Sequence, residues 1–249
     1  MVSTMRRGRS CRQLAFGVVV LLIMILGAAG CSSTGASTSG ADSQQIIEAI
    51  ERLNRPTAGD MAALYDLRVA RSGGLRLSMV TAGRAGRLTI SEPFGSAVSL
   101  TAWEADSPTV FFDMEKGCRR EVHDLEDILG VGALPLEPAA RLLGGRLPTT
   151  GGGEVRPDGD GAVEVLEDEF VATVRLVSDP WRVVEVWVNQ DDRGNGWHLE
   201  LGSHASSVPG TIRIENPDGR WAELVLKRLE WPTGATLPDL PTNFPPCGR

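Results

Sequence analysis

Between residues 65 and 123 apolar and polar positions alternate in short runs, and a turn residue closes most of them. The runs are YDLRVAR (65–71), LRLSMV (75–80), GRLTIS (86–91), AVSLTAW (97–103), PTVFFDM (108–114) and CRREVH (118–123). Period two, with β-branched and aromatic residues, predicts strands, and breaks such as Gly73-Gly74 and Gly83 predict the turns of an antiparallel meander. Ahead of it, QQIIEAIERL (44–53) sets Ile46, Ile47, Ile50 and Leu53 on one face of a short helix. At 124–145 the period changes. Leu125, Ile128 and Leu129 fit one short helix and Leu136, Ala139, Ala140 and Leu143 a second, with Asp124 placed to cap the first and glycines ending both. After a Gly-rich break at 151–153, strand patterns resume at 169–177, 181–188, 197–202, 210–216 and 221–231. The tail from Pro232 is too rich in proline for a central strand and is expected along an edge.

The predicted fold class is mainly β (α+β): a curved, open antiparallel sheet with short helices laid into its concave face, spanning residues 46–231 as one domain. Such an arrangement forms either a plain packed core or an apolar cavity, and periodicity does not separate the two.

Residues 1–31 read differently from the rest. Arg6, Arg7, Arg9 and Arg12 precede an uncharged apolar run over 14–26, which is followed by Gly27-Ala28-Ala29-Gly30-Cys31. This is the pattern of a secretory signal peptide, and the run is short of the roughly 20 residues a transmembrane helix needs. Small residues leading into a cysteine resemble the lipobox of bacterial lipoproteins, which implies removal of 1–30 and acylation of Cys31; SSTGASTSGADSQQ (32–45), without apolar periodicity, reads as a flexible tether, so that 31–45 is anchor and tether. Ser32 after the cysteine, by resemblance to proteobacterial sorting, implies the periplasmic face of the outer membrane. Several acyl chains make a durable anchor, where one myristoyl chain binds only marginally.

Export alters the charge and cysteine counts. The segment to be removed holds four of the 25 basic residues and none of the 32 acidic ones, so the mature chain would carry −11. That acidic balance argues against nucleic acid and anionic lipid surfaces as partners of the folded body. Of four cysteines, Cys11 leaves with the signal and Cys31 takes lipid. Cys118 and Cys247 remain, and two thiols in an oxidising compartment are expected to form one disulfide.

The stretch LTISEPFGSAVSL (88–100) reads as two strands around a turn that carries Phe94 at its tip, where side chains are usually polar. Pro93 fixes φ and Gly95 permits an unusual backbone angle, so the ring is either a rigid apolar probe or a residue folded back on the sheet edge.

Residues 92–148 resemble the central segment of the LolB family, outer-membrane lipoproteins that receive and insert other lipoproteins. The shared pattern is a Pro-hydrophobic-Gly turn, two strands, a short helix ending in Gly, LPL (134–136), and a helix followed by GGRLP (144–148); GRWAELVLKRLEW (219–231) resembles the family's last strand. The resemblance implies a half-open antiparallel barrel with helices as a lid over an apolar cavity for acyl chains, lined here by Ile128, Leu129, Leu136 and Leu143. It also implies membrane insertion through Phe94, flanked by Pro93 and Gly95, and as partners the acyl chains of lipoproteins and a periplasmic LolA-like carrier. The molecule is read as a monomer without cofactor, metal or catalytic residues. The alternative reading is a structural or assembly lipoprotein with a filled core that docks a protein.

Enzymatic signatures are missing from the sequence: there is no G-x-S-x-G, P-loop, H-E-x-x-H or C-x-x-C. Asp158, Asp160 and Glu169 match three positions of a calcium loop, but Ala162 and Val163 occupy positions that need an oxygen ligand and a glycine. His198, Glu200 and His204 would make a poor metal set, because a glycine separates His204 from the strand that carries the other two.

Overall fold

The computed structural model describes residues 43–55, 60–70, 74–105, 107–159, 161–189, 196–205 and 208–248. The signal segment, Cys31 and the tether as far as residue 42 lie outside the described residues, and so does Asp160. The elements are α1 (Ser43–Asn54), β1 (Met61–Val69), β2 (Leu75–Ala82), β3 (Ala85–Ser91), β4 (Ala97–Glu104), β5 (Ser107–Asp113), β6 (Cys118–Glu121), α2 (Glu126–Leu129), α3 (Leu136–Leu143), β7 (Glu154–Pro157), β8 (Ala162–Leu166), β9 (Val171–Val177), β10 (Arg182–Val188), β11 (Trp197–Gly202), β12 (Thr211–Glu215) and β13 (Trp221–Glu230).

All thirteen strands belong to one curved, unclosed antiparallel sheet in the order β6-β5-β4-β3-β2-β1-β13-β12-β11-β10-β9-β8-β7. Two meanders, β1–β6 and β7–β13, are joined by the first and last strands, with Leu67 opposite Leu224 and Tyr65 opposite Leu226. The edge strands are therefore β6 and β7. Because these two are consecutive in sequence, the segment between them must cross the open side of the sheet, and α2 and α3 lie on that crossover. Topology demands an edge-to-edge crossover, and its packing on the inward face makes it a lid.

Alternation decides which side chains the lid covers. On β1, Met61, Ala63, Tyr65 and Leu67 are buried and the residues between them are not. The same inward face carries Leu77 and Met79 of β2, Leu88 and Ile90 of β3, and Leu199, Ile212, Ile214 and Leu224 of the second meander. Against it pack Leu125, Leu129, Val131, Leu134, Leu136, Leu142 and Leu143 of the crossover, in one continuous core. Gly130 adopts φ 70° and ends α2, and Asp124 Oδ1 accepts from the Asp127 N–H at the start of that helix. Helix α1 buries Ile46, Ala49 and Leu53 and leaves Ile47 41 % exposed, so its inner stripe is Ile46, Ala49 and Leu53 rather than one that includes Ile47.

The strands differ from expectation in two places. β1 begins at Met61, earlier than the alternation at 65–71 suggested. Residues 154–166, where the acidic composition masked a short alternation, form the hairpin β7–β8 with Val155 opposite Val165.

Candidate lipid site

The lid and the sheet meet at a core whose centre is lined by aliphatic side chains alone. A void of about 20 Å3 remains there, lined among others by Leu77, Leu88, Leu129, Leu142, Leu143 and Leu224. That is room for roughly one water-sized sphere, so in this state the lid fills the cavity with its own leucines. Of the four residues expected to line it, Leu129 and Leu143 do so; Leu136 is buried in the core but faces a different opening, and Ile128 is half-buried against the core. Sequence reading missed the sheet half of the lining and Leu125, Leu134 and Leu142 from the crossover. The inward positions of the period-two strands were the signal that could have found the sheet residues.

The lid is tied to the frame by polar contacts at its rim. Arg84, on the β2–β3 turn, grips Glu137 of α3 through two nitrogens at 3.0 and 3.2 Å. Arg120 donates to the Asp127 carbonyl at 2.6 Å, and Arg220 to the Gly130 carbonyl at 3.4 Å while lying 3.7 Å from Glu126. Arg141 of α3 donates to the Asn54 carbonyl at the end of α1. Exposed ion pairs are each worth about 0–1 kcal/mol, so the aliphatic contacts, not these ties, supply most of what holds the lid down.

Beside α3 a cleft of about 690 Å3 opens along the crossover. Its walls include Trp103, Glu104, His123, Pro135, Glu137 and Phe170. At its rim the Glu167 carboxylate accepts hydrogen bonds from the Thr149 and Thr150 hydroxyls and from the Thr150 N–H. Burial favours the protonated acid, but these bonds outweigh it and hold the pKa below the ordinary 4.5. A group so depressed contributes stability that is present above its unfolded value and is lost as pH falls through the folded one. Glu167→Gln is therefore expected to lower the melting temperature near neutral pH, and the gap to the parent should shrink on acidification below 4.5; parallel thermal melts over a pH series check this.

Phe94 is 98 % exposed, so it does not fold back on the sheet edge. The Gly95 N–H donates to the Glu92 carbonyl at 3.0 Å, which places Pro93 and Phe94 at the two central positions of a four-residue turn and Gly95 (φ 99°) at its exit. Pairings Ser91–Ala97 and Ser99–Asp113 bring the β5–β6 turn, with Met114 36 % exposed, to the same end of the sheet.

Cys118 on edge strand β6 and Cys247 have their sulfurs 2.07 Å apart. The tail there lies parallel to β6: the Arg119 N–H donates to the Pro245 carbonyl and the Cys247 N–H to the Arg119 carbonyl, each at 2.8 Å. Phe244 packs edge-on against Phe112, 5.8 Å between centroids, over a small outer cluster with Leu100 and Ala102.

Other sequence candidates do not assemble. Asp158 and Glu169 fall in turns at opposite ends of β8, and a strand of that length holds them roughly 16 Å apart. His198 stacks on Trp187, while His204 Nε2 lies 2.8 Å from the Val183 carbonyl. Among the described residues no group of three or more His, Cys, Asp or Glu is arranged to hold a metal, and no helix is long and apolar enough to cross a membrane.

A curved, open antiparallel sheet whose edge-to-edge crossover lies on its concave face defines a recognisable class, the LolA-like fold. Among solved structures the chain is similar to the LolA superfamily protein NE2245 from Nitrosomonas europaea, at 11 % identity and TM-score 0.51, over 81 % of this chain and 96 % of that one. It is similar also to a domain from Vibrio parahaemolyticus assigned as an outer membrane lipoprotein-sorting protein, at 11 % identity and TM-score 0.51, over 78 % and 94 % of the two chains. No protein-family model and no curated protein matches the sequence. At this identity the likeness establishes the fold.

Proposed function

We propose that the protein is a LolB-like receptor: acylated at Cys31 and held on the periplasmic face of the outer membrane, it takes the acyl chains of lipoproteins from a LolA-like carrier under its lid and passes them to the bilayer, as a monomer and without covalent chemistry. The observation that carries this reading is the wholly aliphatic lining of the void between lid and concave sheet. Acyl chains can replace lid leucines in kind, each buried methylene being worth about 0.8 kcal/mol, and the rim ties resist little. Transfer then needs only that the site hold the chains more tightly than the carrier and less tightly than the membrane. Phe94 and Met114, at one end of the sheet, are the residues that would enter the bilayer.

One observation favours the other reading, a docking lipoprotein with a filled core: the void is only about 20 Å3. The full-length chain anchored in liposomes, given a carrier loaded with fluorescent lipoprotein, decides between them. Uptake followed by delivery to the membrane is expected. Phe94→Ala should keep uptake, slow delivery at least about tenfold, and leave the melting temperature unchanged, since changes at exposed side chains usually fall within about 0.5 kcal/mol. Failure of transfer together with failure to bind a fluorescent fatty acid would establish the docking reading.

A further inference from the structure

Two hydroxyls on the largely apolar concave wall are buried without a partner. Tyr65 on β1 and Thr101 on β4 are both 0 % exposed, and neither Tyr65 Oη nor Thr101 Oγ1 has a hydrogen-bond partner among the described residues. Both point to the lidded face. Tyr65 alternates with Met61, Ala63 and Leu67 of the core and stands directly opposite Leu77, and Thr101 stands opposite Leu88. Leu77 and Leu88 both line the void. A buried hydroxyl left unpaired costs free energy, and nearly all such groups in folded proteins find a partner, so two on one apolar wall call for an explanation. A purely structural wall would be better served by Phe and Val at these positions.

We infer that Tyr65 and Thr101 form an ester-recognition subsite: with the lid displaced, Tyr65 Oη and Thr101 Oγ1 donate hydrogen bonds to the carbonyl oxygens of ester-linked acyl chains. This rests on the acyl-binding reading above and names the ligand chemistry within it. Burial holds the Tyr65 phenol above its ordinary pKa, so it remains a donor at every physiological pH. The donor type fits the ligand, because an ester carbonyl accepts hydrogen bonds and offers none. The strain has a direction too. The closed state leaves both hydroxyls buried and unpaired, whereas the loaded state pairs them, so the pair biases the lid towards opening for esters and not for bare hydrocarbon.

The test is a competition between ester and ether. The full-length chain is anchored in liposomes of dialkyl ether phospholipid, which offer no ester carbonyl, and is photo-crosslinked to a diacyl ester probe. Competitors are a diacyl glycerol ester and its dialkyl ether counterpart of equal chain length. Two net hydrogen bonds predict a preference for ester of about tenfold or more in the parent. The Tyr65→Phe, Thr101→Val double variant should compete equally with both lipids, and each single variant should fall between. Taking a ratio within each variant cancels differences in folding, and the double variant is expected to melt no lower than the parent. A ratio near one in the parent, or an unchanged ratio in the double variant, would overturn the subsite. Failure of the probe to label the parent at all would instead overturn the acyl-binding reading on which the subsite rests.

Discussion

A variant carrying both Cys118→Ser and Cys247→Ser is expected to melt about 10–20 °C below the parent. The bond closes a loop with a sequence separation of 129. In the chain-entropy model a crosslink of that span removes about 4–5 kcal/mol of freedom from the unfolded chain. For a body of this size each kcal/mol moves the melting temperature by about 2–4 °C. Reductant added to the parent should reproduce the shift, and reductant added to the double variant should do nothing; calorimetry under both conditions checks this. The loss also has a local consequence. Without the bond the tail is held at β6 by the backbone bonds around Arg119 and by Phe244 on Phe112. Fraying would uncover Leu100, Ala102 and Phe112 together with the unpaired edge of β6, a surface that invites edge-to-edge association. The double variant is therefore expected to self-associate at concentrations where the parent stays monodisperse. A melting temperature unchanged on reduction would show that the bond adds nothing to the body.

What the sequence disclosed follows from which interactions are local. The crossover helices were readable because Leu125, Ile128 and Leu129, then Leu136, Ala139 and Leu143, keep helical spacing between glycines, and only an inward-facing lid needs that stripe inside a β-protein. The strand at 75–80 was readable because one face is core and the other open, so burial imposes period two; at 99–103 both faces are buried, the outer one with Phe244 of the tail, and strand-forming residues between turn signals carried the reading. The hairpin β7–β8 was not. Its strands are short, and Glu154, Glu164, Glu167, Asp168 and Glu169 gave the segment the composition of a solvated loop. Phe94 could be placed on a turn from Pro93 and Gly95 alone, since those two residues act on the local backbone. Tyr65 and Thr101 could not be picked out. Whether a hydroxyl is paired depends on what the register sets opposite it, here Leu226 and Leu77 for Tyr65 and Leu88 and Phe111 for Thr101. The ionic tie between Arg84 and Glu137 was hidden for the same reason, being a contact across 53 residues of sequence.

Leu142→Ala is expected to destabilise the protein by about 2–5 kcal/mol, and yet to strengthen acyl binding. Leu142 is 2 % exposed on the inner face of α3 and lines the void. Truncation removes its transfer free energy and leaves a space that rigid neighbours cannot close. Because that space joins an existing void walled by Leu77, Leu88, Leu125 and Leu199, the result is a larger dry cavity of the kind that takes up small apolar guests. A ligand that must otherwise displace lid leucines then has less to displace. Affinity for a fluorescent fatty acid should rise while the melting temperature falls, two effects of opposite sign from one substitution. Ala139→Leu should do the reverse: Ala139 borders the same void, about 20 Å3 cannot accept the added carbons without strain, and binding should weaken. A filled core that never opens predicts loss of stability in both variants and no change in binding in either, so the sign of the binding change, read beside the melting curve, separates a site that exchanges its own leucines for acyl chains from one that only packs them.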